Sequence, residues 1–182
     1  MSVMDVNAVD EMRDGLSGGS DAVSLCCVYA DRSSFGIETK QIREVLGERE
    51  LHMVPLAPAF IGGVVSYRGE VLTTVDLRAL LGMGERAEKS CVVVLEDEMR
   101  EERFGLLVDA VGGVTTVSAS MMEANPSTLE ARGRWLFGGS YNMGTGLMVQ
   151  LNPQRLRPSR LAETGLFRHR INGEWNASAD RR

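Results

Sequence analysis

The sequence predicts an all-β fold with short helices. Three observations carry that expectation: the apolar runs are short, glycines are frequent, and long amphipathic helical patterns are few. Its 182 residues suffice for one ordinary domain, or two small ones sharing a surface. A hydrophobic fraction of 43% places the chain among packed globular proteins. With aromatics at only 5%, the core must come from Val, Leu, Ile, Met and Ala.

Residues 1–20 read as a flexible leader of scattered acids followed by Gly15, Ser17, Gly18, Gly19 and Ser20. A first strand is expected at 23–30, a polar turn at 31–34 and a short second strand at 35–37. Thr39 is placed to cap a short helix over 40–46, because Ile42, Val45 and Leu46 recur at helical spacing and Gly47 follows. Residues 51–54 are expected to be extended ahead of Pro55, and 55–58 form a proline-bounded link. Gly62-Gly63 marks a close backbone approach or a positive φ. The clearest hairpin follows, with strands at 64–67 and 70–75 around Arg68-Gly69. Asp76 caps a helical turn over 77–81, which Gly82 ends.

A polar link over 84–90 separates this from a second series of strands. Residues 91–95 are continuously apolar, as in a strand buried on both faces, and 104–108 are the expected partner. The charged stretch between them is an exposed tip. Gly112-Gly113 is expected to interrupt the chain before a strand at 114–117. Further strands are expected at 134–141 and 147–151. Asn152 is a candidate cap for a helix that Pro158 limits.

Function classes narrow by composition. The formal net charge of −5 argues against nucleic-acid binding by the whole chain. The charge is uneven: residues 155–182 hold seven Arg and three acids. That basic tail is either solvated or able to touch an acidic surface. Cys26, Cys27 and Cys91 form no disulfide framework, and the adjacent pair must face opposite sides of a strand. With no signal-peptide pattern and no apolar span of about 20 residues, the cytoplasm is the expected location, without membrane insertion. His52 and His169 are the only histidines, so neither a metal site nor a cofactor is expected. No phosphate loop or nucleophile elbow occurs, and no catalytic residue can be named. Trp135 reads as core or half-buried interface, and Met121-Met122 as core filling or an adaptable contact. Arg68 has two readings side by side: a plain turn residue, or a guanidinium held out to meet a partner's carboxylate or carbonyls.

From Val23 to about Arg157 the sequence resembles the CheW family of chemotaxis coupling proteins. Phe35-Gly36-Ile37 with Gln41-Ile42-Arg43-Glu44-Val45 is similar to that family's opening, and the proline-flanked 54–64 segment to its crossover. Tyr67-Arg68-Gly69-Glu70 through Asp76-Leu77-Arg78 resembles its most diagnostic stretch. Gly105-Leu106-Leu107-Val108-Asp109 resembles its second-half signature. The resemblance implies two packed five-stranded SH3-like β-barrels, with a domain over 21–158, subdomains near 21–83 and 90–158, and a basic tail over 159–182. It implies a non-enzymatic adaptor recruited to membrane receptor arrays. Its partners would be the regulatory domain of a CheA-type histidine kinase and the cytoplasmic tip of a methyl-accepting chemoreceptor. The receptor-facing groove maps onto Ile42, Glu44, Val64, Val65 and Arg68, with Glu44 a candidate partner for Arg68. No short motif marks the kinase-binding face. Ser66 stands where the family more often has Asn, and Tyr67 where it has an aliphatic residue. Residues 134–151 and the tail look more like adaptors of Wsp-type surface-sensing pathways, which control cyclic-di-GMP output. A competitor of the main adaptor would share the same features.

Overall fold

The computed structural model describes residues 21–84, 89–96, 102–144 and 146–167. The expected leader, the charged tip over 97–101, His169 and the end of the tail lie outside the described residues. Among the described residues there are ten strands: β1 Ala22–Ala30, β2 Ser33–Glu38, β3 Ile42–Leu46, β4 Ile61–Tyr67, β5 Glu70–Asp76, β6 Cys91–Glu96, β7 Arg103–Val108, β8 Ala110–Ser118, β9 Phe137–Asn142 and β10 Leu147–Leu151. The same residues hold four short α-helices: α1 Leu77–Leu81, α2 Ala131–Leu136, α3 Pro153–Leu156 and α4 Pro158–Thr164.

The strands form two five-stranded sheets, ordered β8-β1-β2-β10-β9 and β3-β6-β7-β5-β4. These are the same topology. Replacing β3 to β7 in the second order by β8, β9, β10, β1 and β2 reproduces the first. Each sheet contains one parallel pair, β2 with β10 and β5 with β7. The two sheets therefore do not divide the chain at 83–90. One is built from residues 42–108, and the other joins 22–38 to 110–151.

Both sheets curl until their edges meet. His52, beyond edge strand β3, exchanges backbone hydrogen bonds of 2.9 and 2.8 Å with Val64 on the opposite edge. Glu123, beyond edge strand β8, exchanges bonds of 2.8 and 2.9 Å with Ser140. Strand alternation then sorts the apolar residues into three places. Val92 and Val94 point inside the β3–β7 sheet with Leu46, Val65, Tyr67, Leu72 and Leu107. Val93 and Leu95 point the other way, into a larger core shared by the two sheets. That double burial is why residues 91–95 are continuously apolar. Cys26 faces the shared core, while Cys27 lies with Leu25, Tyr141 and Met148 inside the other sheet.

Asp76 caps α1 by accepting from the Ala79 amide at 3.2 Å, and Gly82 ends it at φ 68°. Other expectations are corrected. Residues 40–46 are not a helix: a 3-10 turn at Thr39–Gln41 leads into β3. A register shift between Ile42 and Glu44 opposite β6 inserts an extra residue. Ile42 and Val45 therefore face the shared core three positions apart, which imitates helical spacing. Residues 131–136 are helical, and β9 begins only at Phe137, where pairing with β10 starts. Trp135 is consequently a half-buried helix residue. Strand β8 runs through Gly112-Gly113 rather than stopping there. A shift in β1 between Cys26 and Val28 accommodates the pair, and a Cβ on Gly112 would lie 2.9 Å from the Tyr29 ring.

The C-terminal boundary also moves. Pro158 limits the helix that starts after Asn152, as expected, since α3 ends at Leu156, and it also opens a further helix, α4, at its first position, where its fixed φ suits the turn. Leu161 is fully buried, and Phe167 packs edge-on against Phe60 at 6.2 Å between centroids. Arg132 donates to the Leu166 carbonyl at 3.2 Å, and Glu102 accepts from the Ser159 hydroxyl. Up to Phe167 this segment is part of the core, not a solvated tail.

Candidate partner-binding face

The turn between β4 and β5 is the starting point. Arg68 has φ 51° and Gly69 φ 83°, the pair of left-handed residues that a two-residue type I′ hairpin requires. Glycine takes this conformation freely, whereas an arginine adopts it at a cost. The backbone thus aims the Arg68 side chain across the edge of the sheet toward β3. Its Nε and Nη2 donate to Glu44 Oε2 at 3.2 and 2.7 Å. The Tyr67 hydroxyl donates to the same oxygen at 2.9 Å. The guanidinium of Arg68 lies 5.4 Å from the Tyr67 ring centroid, and that of Arg103 lies 6.0 Å away. Arg103 pairs with Glu96 at 2.6 Å and with Glu70 at 3.4 Å, and Arg43 pairs with Glu96 at 3.1 Å.

These contacts make a row of alternating charge with Tyr67 in its middle. Burial pushes the Tyr67 phenol up, and the hydrogen bond to Glu44 adds to this, so it stays a neutral donor. The hydrogen bond to Glu44 also raises Arg68, which remains a cation. The Arg68 side chain is 69% exposed and that of Glu44 27%. An ion pair this open contributes little to stability. What it does is hold a charged, bidentate-capable group in one orientation on a rigid turn.

Of the residues expected in the groove, the structure brings Glu44 and Arg68 together, and Val64 is half-buried on edge strand β4, four residues before Arg68. Ile42 and Val65 are each only 2% exposed. Ile42 faces the shared core and Val65 the interior of its own sheet. Neither offers surface to a partner, so the expected apolar groove is not formed by these side chains. Adjacent strand residues point to opposite sides, and Val64 and Val65 could not both line it. Tyr67 and Arg103 are contributors that the sequence did not single out, because their part depends on β7 passing beside the hairpin. Among the described residues no group of three or more His, Cys, Asp or Glu is placed to hold a metal ion.

A second polar cluster joins the two sheets. Arg78 on α1 binds Asp109 through Nε at 2.8 and 3.0 Å and through Nη2 at 2.7 Å. Asp109 lies where the chain passes from β7 to β8, and it also accepts from the Asp31 amide at 2.6 Å. Asp31 carries φ 54° at the β1–β2 turn and sits 3.6 Å from Arg78. Burial opposes the Asp109 charge, but the Arg78 and Asp31 hydrogen bonds outweigh it and hold the carboxyl below its ordinary value. A depressed folded-state pKa means that the pair stabilises above the unfolded value of about 3.9 and is lost as pH falls through the folded one. Asp109→Asn is expected to lower stability by about 2 kcal/mol at pH 7, by removing one partner of a largely desolvated pair. The deficit should shrink as the wild type is acidified below about pH 4. Urea unfolding of both proteins across that range checks it, and a pH-independent difference would show that shape rather than charge matters.

Residues 24–159 match the model of the CheW-like domain. The chain belongs to the CheW-like family. Within that family it is similar to the probable chemotaxis protein CheW of Rhizobium etli, 34% identical over 92 residues, covering 50% of this chain and 59% of that one. The chemotaxis protein CheW of Treponema pallidum is 22% identical over 132 residues, covering 69% and 76%. The chain thus spans 59% of the length of the Rhizobium etli relative. In structure it is similar to the scaffolding protein TtCheW from Thermoanaerobacter tengcongensis, with a TM-score of 0.64 and 20% identity, covering 71% of this chain and 88% of that one. That likeness speaks to the fold, and with it the expected CheW-like pair of five-stranded sheets is met. The CheW-like match ends at residue 159, so the part of α4 that buries Leu161 extends past it.

Proposed function

We propose that this CheW-like domain is a non-enzymatic adaptor that couples methyl-accepting chemoreceptors to a CheA-type histidine kinase in chemotaxis-like signalling. Membership of the CheW-like family supports this, as do relatives named as chemotaxis proteins CheW. The adaptor works in the cytoplasm and reaches receptor arrays through its partners. No helix among the described residues is long and apolar enough to cross a membrane. The receptor-facing surface is built on Glu44, Val64 and Arg68, and the observation that carries it is Arg68 itself. An arginine is kept in a left-handed turn, mostly exposed, and steered by two hydrogen bonds to one carboxylate oxygen of Glu44. Pre-orientation of this kind lowers the ordering cost of meeting a polar group on a receptor helix.

Arg68→Ala is expected to weaken binding to a soluble fragment of the receptor's cytoplasmic tip by about tenfold, as for a modest hot spot. Binding to the kinase regulatory domain and the thermal midpoint should change little. A Glu44/Arg68 double-mutant cycle on receptor binding should show coupling, because Glu44 acts by positioning the guanidinium. Loss of folding in Arg68→Ala would make the residue structural and remove it from the site.

A further inference from the structure

The link between β3 and β4 presents apolar side chains to solvent: Met53 is 72% exposed, Val54 40% and Leu56 99%. Its backbone is fixed nonetheless. His52 and Val64 exchange two hydrogen bonds, the Ala57 amide donates to the Val54 carbonyl at 3.3 Å, and the Ile61 amide donates to the Pro58 carbonyl at 2.9 Å. Within the Val54–Ala57 turn Pro55 takes the second position and Leu56 the third, at φ 60°. A turn of this type asks for glycine or asparagine at that place, because a side chain there is strained. Leu56 therefore carries backbone strain and a wholly hydrated apolar side chain together. The His52–Val64 bridge is antiparallel, so the residues after His52 run back along β4 toward its start, away from Arg68. The described chain ends at that same place. Phe60, next to Ile61, is the residue on which Phe167 packs edge-on at 6.2 Å.

We infer that the C-terminal segment, residues 168–182, docks on this link, with Ile171 and Trp175 covering Leu56 and Met53. Three observations select this occupant. The first is reach. Leu56 is four residues from Phe60, and Trp175 is eight from Phe167. At no more than ~3.5 Å per residue, the link lies within ~14 Å of Phe60 and the segment can span ~28 Å from Phe167. Leu161 and Phe167 already seat the preceding residues in the core, so docking continues an existing path. The second is composition. Ile171 and Trp175 are the large apolar side chains of 168–182, and an indole laid on a leucine and a thioether gains from both area and sulfur–aromatic contact. The segment has four Arg and two acids on a chain that is acidic as a whole, so the net charges attract. The third is size. Three exposed side chains fall well short of the ~1,200 Å² that free molecules bury in a stable interface. A segment on a short tether is present at millimolar effective concentration, so a patch this small can hold it.

The test is the exposure of Trp175 in the full chain carrying Trp135→Phe, read by acrylamide quenching. Trp175 should be quenched severalfold less than a free indole. Leu56→Asn, added to that chain, should return it to the free value. Asparagine accepts the left-handed φ, so the turn itself is kept. Trypsin supplies a second reading that needs no change at Trp135. Cleavage after Arg168 and Arg170 follows the undocked population, and Leu56→Asn should speed it about tenfold, the lower end of what burying a leucine is worth. Trp175→Ala should speed it to a similar extent, and the double variant no further, because both substitutions break one contact. Effects that simply add would make the two residues independent and overturn the inference. So would Leu56→Asn leaving both readings unchanged. A Trp175 quenched like a free indole in the parent chain also overturns it and leaves the link for another protein. Protection that is lost on dilution overturns docking within one chain and assigns the link to the segment of a second copy.

Discussion

Gly63→Ala is expected to lower unfolding stability by about 3–4 kcal/mol, combining backbone strain with overpacking against an immobile neighbour. Gly63 has φ 126°, a region that residues with a Cβ rarely enter. An added Cβ would lie 2.8 Å from the His52 carbonyl oxygen. That oxygen is fixed, because it accepts the Val64 amide in the bridge that closes the β3–β7 sheet. The substitution therefore opens the seam that holds Val64 against His52. Gly138→Ala is the natural control, since its nearest neighbours would be 3.9 Å away and no positive φ is involved. Urea unfolding of the two variants should separate them clearly. Equal, small effects would mean that the bridge bends to accommodate a methyl group.

Truncation after Arg157 is expected to be more damaging, at about 5 kcal/mol or more, which is the whole stability of many domains. It removes Leu161 from the shared core and Phe167 from its edge-on contact with Phe60. The hydrogen bonds from Arg132 to Leu166 and from Ser159 to Glu102 go with them. Truncation after Phe167 is the reference, because it leaves every one of these contacts in place. Circular dichroism melts of the two shortened chains check it. A cooperative melt near the reference midpoint in the shorter chain would show that α4 merely rests on the surface.

The elements that were legible in the sequence are those with a local cause. Asp76 before an apolar turn, Arg68-Gly69 between two apolar runs, and five successive apolar residues at 91–95 each state their conformation within a few positions. The pairing of Glu44 with Arg68 was accessible through family resemblance, and the structure contains it. The burial of Ile42 was not, because a bulge shifts its side by one residue and no local signal announces a bulge. The internal repeat was equally hidden. Phe35-Gly36-Ile37 and Phe104-Gly105-Leu106 occupy matching places beside the two parallel pairs. Phe60-Ile61-Gly62-Gly63 and Leu136-Phe137-Gly138-Gly139 precede the two closing bridges. One copy of the repeat runs through both ends of the domain, so no fixed spacing aligns it with the other. Only residues at tight approaches need agree, such as Gly36 and Gly105, whose added Cβ atoms would meet side chains at 3.1 and 2.6 Å.

The shared topology has a consequence for how the molecule comes into being. Residues 42–108 hold all five strands of one sheet, which can close as soon as they have left the ribosome. Strands β1 and β2 emerge earlier, yet their neighbours β8 and β10 are made much later. At ordinary rates of synthesis that interval is on the order of ten seconds. Through it, Leu25, Val28, Phe35 and Ile37, all buried in the finished protein, have no completed sheet to enter. Assembly of the domain thus runs from its middle outward, and the β1–β2 hairpin, translated before β3 to β7, belongs to the sheet that is finished last. During that interval the nascent chain is at its most prone to aggregate, and a chaperone that covers β1 would act there.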